Sequence, residues 1–108
     1  MTTFNEREKS FEAKYQRDQE KEFRITSRRN RLLGLWAASQ FGLPDNQALD
    51  YAKEVVLADF EEPGDDDVVR KVLKDFESRG IAMDEKHLRR EMSRLLEEAK
   101  RQIEQEPS

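Results

Sequence analysis

The sequence predicts an all-α protein: a small four-helix bundle with an N-terminal arm that is extended or disordered and prone to form a helix. The apolar residues recur at spacings of three and four, which is typical of the buried face of a helix. Short stretches rich in glycine, proline and aspartate separate these runs, as expected of helix ends and connections. No segment alternates apolar and polar residues with the period of two that indicates a strand.

Length and composition limit the chain to one small core. The 108 residues are 41% charged and 35% hydrophobic, which is enough for one domain of modest size. The absence of cysteine removes thiol nucleophiles, disulfides and zinc-finger chemistry, and fits a reducing compartment. There is neither an apolar run long enough to span a membrane nor a signal peptide. We therefore expect a cytoplasmic protein without direct membrane insertion.

Residues 1–22 form a segment of their own, the N-terminal arm, and residues 23–108 form the four-helix body. The sizeable apolar groups of the arm are Phe4, Phe11 and Tyr15, which fall within about 40° of one another on a helix. Burying each aromatic yields roughly 1.5–3 kcal/mol, whereas ordering each residue costs about 1–2 kcal/mol. Alone, the arm should fray. Thr3 and Glu6 match a capping box, so we expect a peptide that folds as a helix in the groove of a partner protein.

The body divides into four helices at its turn residues. The first helix should end near Gly42, and Gly80 should be the left-handed stop of the third. Asp45, Asp65 and Asp84 are expected to cap the second, third and fourth helices. The predicted core residues share helical spacing: Ile25, Leu32, Leu33 and Trp36; then Leu49, Ala52, Val56 and Phe60; then Val69, Val72, Leu73 and Phe76; and finally Leu88, Met92, Leu95, Leu96, Ala99 and Ile103.

The acidic turn packs five carboxylates into the seven residues 61–67. A calcium loop that began at Asp65 would need glycine at its sixth position and glutamate at its twelfth, but the sequence has Arg70 and Phe76 there. The spacing therefore favours acids that cap a helix. His87 is the single histidine, which favours a solvated first-turn residue over a transition-metal ligand. We expect no metal site here.

A basic stripe runs along the first helix at spacings of four, three, four and three, and consists of Arg17, Lys21, Arg24, Arg28 and Arg31. Such a stripe can bind phosphates or an acidic protein surface, or it can pair with carboxylates of its own chain. The overall charge of −4 and the lack of aromatics between the arginines argue against nucleic acid as a partner. The alternative hypothesis is a helical protein that binds nucleic acid or an acidic protein through this stripe.

No residue set indicates an enzyme. The sequence contains no glycine-rich phosphate loop, and no nucleophile can be matched with a base. A small carboxylate enzyme that uses Asp65, Asp66 and Asp67 would require a partner base or pocket that the sequence does not indicate.

Three blocks of the sequence resemble a known family. They are Thr2-Thr3-Phe4 with Arg7-Glu8 and Glu12-x-Lys14-Tyr15; then Arg28-Arg29-Asn30-Arg31-Leu32-Leu33-Gly34-x-Trp36-Ala37-Ala38; and then Asp59-Phe60-Glu61-Glu62-Pro63-Gly64-Asp65. In collinear order over essentially the full length, the chain resembles the zeta subunit of alphaproteobacterial F-type ATP synthases.

The resemblance implies a four-helix inhibitor whose arm enters a catalytic alpha/beta interface of the ATPase head near the rotor and blocks ATP hydrolysis. Its expected partners are the alpha, beta and gamma subunits, so it would be held at the cytoplasmic face of the inner membrane through the ATP synthase. It also leaves open weak adenine-nucleotide binding, for which the sequence offers no motif; no other cofactor is expected. The residues implied to bind the partner are Thr3, Phe4, Arg7, Glu8, Phe11, Glu12, Lys14 and Tyr15.

Overall fold

The computed structural model describes the backbone of residues 2–60 and 64–107, and the side chains of residues 18–60 and 64–107. It contains four α-helices: α1 (Thr2–Phe41), α2 (Asp45–Ala58), α3 (Asp66–Ser78) and α4 (Glu85–Gln105). No strand occurs in the described backbone. α1 packs against each of the other three helices, mainly against α2 and α4. The predicted small all-α bundle is confirmed.

Two glycines end helices in the left-handed conformation. Gly80 has a φ of 70°, its N–H donates to the Glu77 carbonyl at 3.0 Å, and the Ile81 N–H donates to the Phe76 carbonyl at 3.0 Å. This pair of bonds satisfies carbonyls that the last turn of α3 leaves open. The same arrangement closes α1 at Gly42, whose φ is 75°. Both predicted helix ends are confirmed.

The three predicted aspartate caps have different outcomes. The side chain of Asp84 accepts a hydrogen bond from the His87 N–H at 2.6 Å, which confirms it as the cap of α4. The prediction for Asp45 is wrong, because Asp45 is the first residue inside α2 and Pro44 takes the cap position. Asp65 does precede α3, but its side chain makes no capping hydrogen bond, because its carboxylate binds an arginine of α1.

The core lies where α1 meets the other helices. Phe76 of α3 is 1% exposed, and its ring centroid lies 5.8 Å from that of Trp36 and 4.7 Å from that of Phe41. Most of the predicted core residues of α1, α3 and α4 are buried, namely Leu33, Val69, Val72, Phe76, Leu88, Met92, Leu95, Ala99 and Ile103. Ile25, Leu32, Trp36, Leu73 and Leu96 are partly buried.

The predicted core face of α2 is wrong. Of its four residues only Ala52 is buried; Val56 is partly buried, and Leu49 and Phe60 are 45% and 61% exposed. α2 instead turns Tyr51, Ala52, Val55 and Ala58 inward. The reason is a close crossing with α1, where a Cβ placed on Gly34 would lie only 2.6 Å from the Ala52 Cα. This approach fixes the rotation of α2 about its own axis.

Candidate functional site

The predicted partner-binding residues lie in the first part of α1, and their side chains fall outside the described residues: Thr3, Phe4, Arg7, Glu8, Phe11, Glu12, Lys14 and Tyr15. Their role in binding therefore stays a prediction. The structure does describe the base of the arm, where α1 enters the body.

α1 joins the body only after the predicted arm. Every side chain from residue 18 to residue 24 is exposed, Ile25 is the first that is partly buried, and Arg29 is the first that is buried. The predicted boundary between residues 22 and 23 falls within the continuous helix α1 and stays a prediction.

The end of α4 holds the base of the arm through a carboxylate. Arg24 Nη2 lies 2.9 Å from Glu106 Oε2, and Arg28 binds the other oxygen of Glu106. Arg28 Nη1 also donates to Gln102 Oε1 at 2.8 Å. The hydrogen bond from Arg28, with a further one from Arg24, lowers the pKa of Glu106. Two residues of the basic stripe therefore bind side chains at the C-terminal end of α4.

A buried guanidinium makes the second anchor of α1. Arg29 is 4% exposed, and its Nη2 and Nη1 atoms lie 2.7 and 3.2 Å from Asp65 Oδ1 and Oδ2. Its Nε donates to Asn30 Oδ1 at 3.0 Å. A two-pronged contact of this kind suits the planar guanidinium, and it lowers the pKa of Asp65. It joins α1 to the start of α3 across 36 residues of sequence.

The anchoring role of Arg29 was not predicted from the sequence. The available signal was its position four residues before Leu33, because residues four apart lie on the same face of a helix. A charged residue on a core face needs a partner. The acidic turn offers several candidates, and sequence alone does not indicate which of them is within reach.

The basic stripe is partly used within the body. Arg24 and Arg28 bind Glu106, whereas Lys21 and Arg31 are exposed; the side chain of Arg17 lies outside the described residues. Pairing within the chain therefore accounts for two of the four positive charges whose side chains the structure describes. No observation favours nucleic acid as the partner of this surface.

The three carboxylates of the acidic turn that the structure describes serve the fold. Asp65 binds Arg29, Asp66 lies 2.8 Å from Arg89 across to α4, and Asp67 binds Arg70. Within residues 18–60 and 64–107, no group of three or more His, Cys, Asp or Glu side chains is arranged to hold a metal ion.

Tyr51, Lys71 and Asp75 form a partly buried polar contact between α2 and α3. The Tyr51 hydroxyl donates to Asp75 Oδ2 at 2.7 Å, and Lys71 Nζ lies 2.9 Å from the same oxygen and 5.2 Å from the centre of the Tyr51 ring. Burial, with the hydrogen bond to Asp75, raises the pKa of Tyr51 far above its ordinary value. The tyrosine is therefore neutral, and the set ties two helices together.

None of the helices in the described part of the chain has the length and apolar character needed to cross a membrane.

Comparison with known proteins agrees with the resemblance of the sequence blocks. No curated protein matches the chain. A protein of known structure, determined by solution NMR, is 42% identical; the match covers 77% of this chain and 94% of that one, with a TM-score of 0.69. A family model described as ATPase inhibitor subunit zeta matches residues 1–102. That match includes both the arm and the body, and the chain therefore belongs to the ATPase inhibitor subunit zeta family.

Proposed function

We propose that this chain blocks ATP hydrolysis by the F-type ATP synthase by inserting its N-terminal arm at a catalytic alpha/beta interface near the gamma subunit. The observation that carries the proposal is the family match over residues 1–102, which includes the arm. The described core supports it, since its buried residues begin at Arg29 and continue to Ile103. The body thus has a core made of residues that follow the arm.

The chemistry of the arm suits a wedge between subunits. Phe4, Phe11 and Tyr15 form one apolar stripe on a helix, and aromatic residues are typical anchors of protein interfaces. The charged residues beside them fix the register by pairing with the partner: Arg7, Glu8, Glu12 and Lys14. Thr3 is the second residue of α1, so the cap predicted from the sequence is wrong, and its proposed role is a contact with the partner. Inhibition by such a wedge needs no chemical step, so no catalytic residue is proposed.

The direction of rotation supplies selectivity in this proposal. The rotor turns in opposite senses during hydrolysis and synthesis, so a helix wedged at an asymmetric interface is drawn in by one sense and expelled by the other. The protein then acts from the cytoplasmic face of the inner membrane, where the ATPase head lies. Weak adenine-nucleotide binding stays part of the proposal without an assigned residue.

The decisive experiment measures ATP hydrolysis by purified ATPase heads with the full chain and with a chain that lacks residues 1–19. The full chain should inhibit, and the truncated chain should lose inhibition while circular dichroism shows that it keeps its helical body. A truncated chain that still inhibits fully would overturn the proposal.

A point substitution sharpens the test. Phe11→Ala should raise the half-inhibitory concentration about 30-fold, the effect of losing an interface anchor. Ser10→Ala is the matched control, since Ser10 lies about 100° away from Phe11 around the helix. Equal potency of the two variants would contradict the proposed aromatic anchor.

A further inference from the structure

The large apolar side chains that the described body leaves exposed gather on one side of α1 and α2. They are Phe23, Leu49, Leu57 and Phe60, which are 57%, 45%, 64% and 61% exposed. The ring centroids of Phe23 and Phe60 lie 6.0 Å apart. We call these four residues, with Val56, the α1–α2 apolar patch. Contiguous apolar surface of this kind marks interaction sites in soluble proteins.

Two adjoining grooves give the patch its shape. The larger groove, about 560 Å³, is lined by Leu49, Val56, Leu57 and Arg31, among others. The smaller groove, about 320 Å³, is lined in part by Phe23, Val56 and Arg31. Because Val56 and Arg31 line both, the two grooves form one continuous surface. An extended or helical segment of a partner can lie along it.

The charges of the grooves are positive. Arg31 and Lys53 line the larger groove, and neither forms an ion pair with any residue whose side chain the structure describes. Arg24 and Arg28, which line the smaller groove, are bound to Glu106. Among the basic residues that line the grooves, Arg31 and Lys53 are therefore the ones without an ion pair to a described side chain, and both line the groove that contains Leu49 and Leu57.

We propose that the α1–α2 apolar patch binds an acidic segment with an apolar face on the outer surface of the ATPase head, as a second contact beside the arm. The inference rests on the proposed function. Charge complementarity identifies the occupant: apolar side chains fill the grooves, and carboxylates pair with Arg31 and Lys53. The position agrees, since Phe23 follows Tyr15 by eight residues along α1, which is about 12 Å of helix.

Two contacts made by one chain have a defined consequence for inhibition. The patch and the arm engage the same head, so binding of one raises the effective concentration of the other. The arm determines whether hydrolysis stops, and the patch determines how little protein is needed. Loss of the patch should therefore raise the half-inhibitory concentration and leave inhibition at saturation unchanged.

The experiment measures binding of the labelled full chain to purified ATPase heads, together with inhibition of hydrolysis. Leu57→Glu and Arg31→Glu should each weaken binding and raise the half-inhibitory concentration about tenfold or more. Arg90→Glu is the matched control for charge, because Arg90 is exposed on α4 and lines neither groove. It should stay within about twofold of the parent chain, as expected for a charge outside the contact.

Carbodiimide cross-linking tests the acidic character of the partner, because it joins an amine directly to a neighbouring carboxylate. Lys53 should cross-link to an Asp or Glu of the head, whereas Lys86, exposed on α4, should not. Lys53→Arg keeps the positive charge and removes the reactive amine. It should abolish that cross-link and preserve the half-inhibitory concentration.

The outcomes separate the two proposals. If the half-inhibitory concentrations of Leu57→Glu and Arg31→Glu stay within about twofold of the parent's, the proposed contact of the patch is wrong. The proposed wedge is then unaffected. Binding of the parent chain without inhibition, if both variants weaken that binding, would overturn the wedge and support the patch.

A parent chain that sediments as a dimer, with Leu57→Glu as a monomer, would show that a second copy covers the patch. Amide shifts of the patch that change on deletion of residues 1–19 would show that the arm covers it. Either finding would overturn the proposal.

Discussion

Gly34→Ala is expected to destabilise the body, although alanine is the better helix former. A Cβ at residue 34 would lie 2.6 Å from the Ala52 Cα, 3.2 Å from its Cβ and 3.3 Å from its N. Carbon atoms prefer separations of about 3.5–4.0 Å, so α1 and α2 must move apart by about 1 Å. The nearest atom belongs to the backbone, and a change of rotamer cannot relieve the contact.

The magnitude follows from two opposed effects. Overpacking of this kind costs about 3 kcal/mol, the upper end of the usual range, and the helix propensity of alanine returns about 1 kcal/mol. The free energy of unfolding should therefore fall by about 2 kcal/mol, and the melting temperature by about 8–16 °C for a domain of this size. Urea unfolding followed by far-UV circular dichroism measures the first quantity, and a thermal scan measures the second.

Two controls isolate the backbone contact. Ser39→Ala, at an exposed site of α1, changes helix propensity alone and should alter stability by no more than about 0.5 kcal/mol. Adding Ala52→Gly to Gly34→Ala should fail to restore stability, because the Cα that makes the contact remains. A Gly34→Ala protein as stable as the parent would refute the reasoning.

Three further predictions concern single groups. Phe76→Ala removes a ring that is 1% exposed and should cost about 3–5 kcal/mol in urea unfolding. Asp84→Ala removes the cap of α4 and should cost about 1 kcal/mol by the same assay, whereas Asp84→Asn should cost far less, because asparagine also caps. The pKa values of Asp65 and Glu106 are lowered in the fold by their arginine partners. Their contribution to stability is present above their ordinary pKa values, near pH 4, and is lost as the pH falls through the lowered ones. Burial raises the pKa of Asp59, which opposes this loss in both the parent and Asp65→Asn. Because only the parent carries the Asp65 carboxylate, its urea midpoint should fall more steeply below pH 4 than that of Asp65→Asn. Parallel midpoint curves for the two proteins would contradict the anchoring role of Asp65.

Helix ends were predictable because their chemistry is local. Gly42 and Gly80 adopt positive φ, which glycine adopts without steric cost. Asp84 reaches an N–H three residues ahead, which is within the range of sequence spacing alone. The stripe of α4 was predictable for the same reason, since one apolar face recurs along 21 residues.

The rotation of α2 was not predictable in this way, because the helix has two apolar faces. One face carries Leu49, Val56 and Leu57, and the other carries the buried Tyr51 and Val55. Periodicity treats both as candidates for the core. The choice between them depends on the approach of Gly34 to α2, which is a tertiary contact. The face that turns away from α1 forms the α1–α2 apolar patch, which is why Leu49 and Phe60 are exposed although their spacing predicts burial.

Polar anchors were missed because they join distant parts of the chain. Asp65 precedes a helix and fits a capping aspartate. In the fold it pairs with Arg29, whose guanidinium is buried and requires a carboxylate. The long-range ion pair therefore prevails over the local cap. Lost capping is worth about 1 kcal/mol, less than the several kcal/mol penalty of a buried charge without its partner.

The anchors at the base of the arm restrict how the protein can act on a partner. Arg24, Arg28 and Arg29 join α1 to the end of α4 and the start of α3, so the body cannot swing freely about the residue at which α1 enters it. Arg29 follows Tyr15 by 14 residues, which is about 21 Å of helix. In the proposed complex, a body held so close to the inserted arm would reach only a small area of the ATPase surface. Phe23 of the α1–α2 apolar patch lies on the same helix as the arm, so in the proposed complex the arm sets the orientation of the patch.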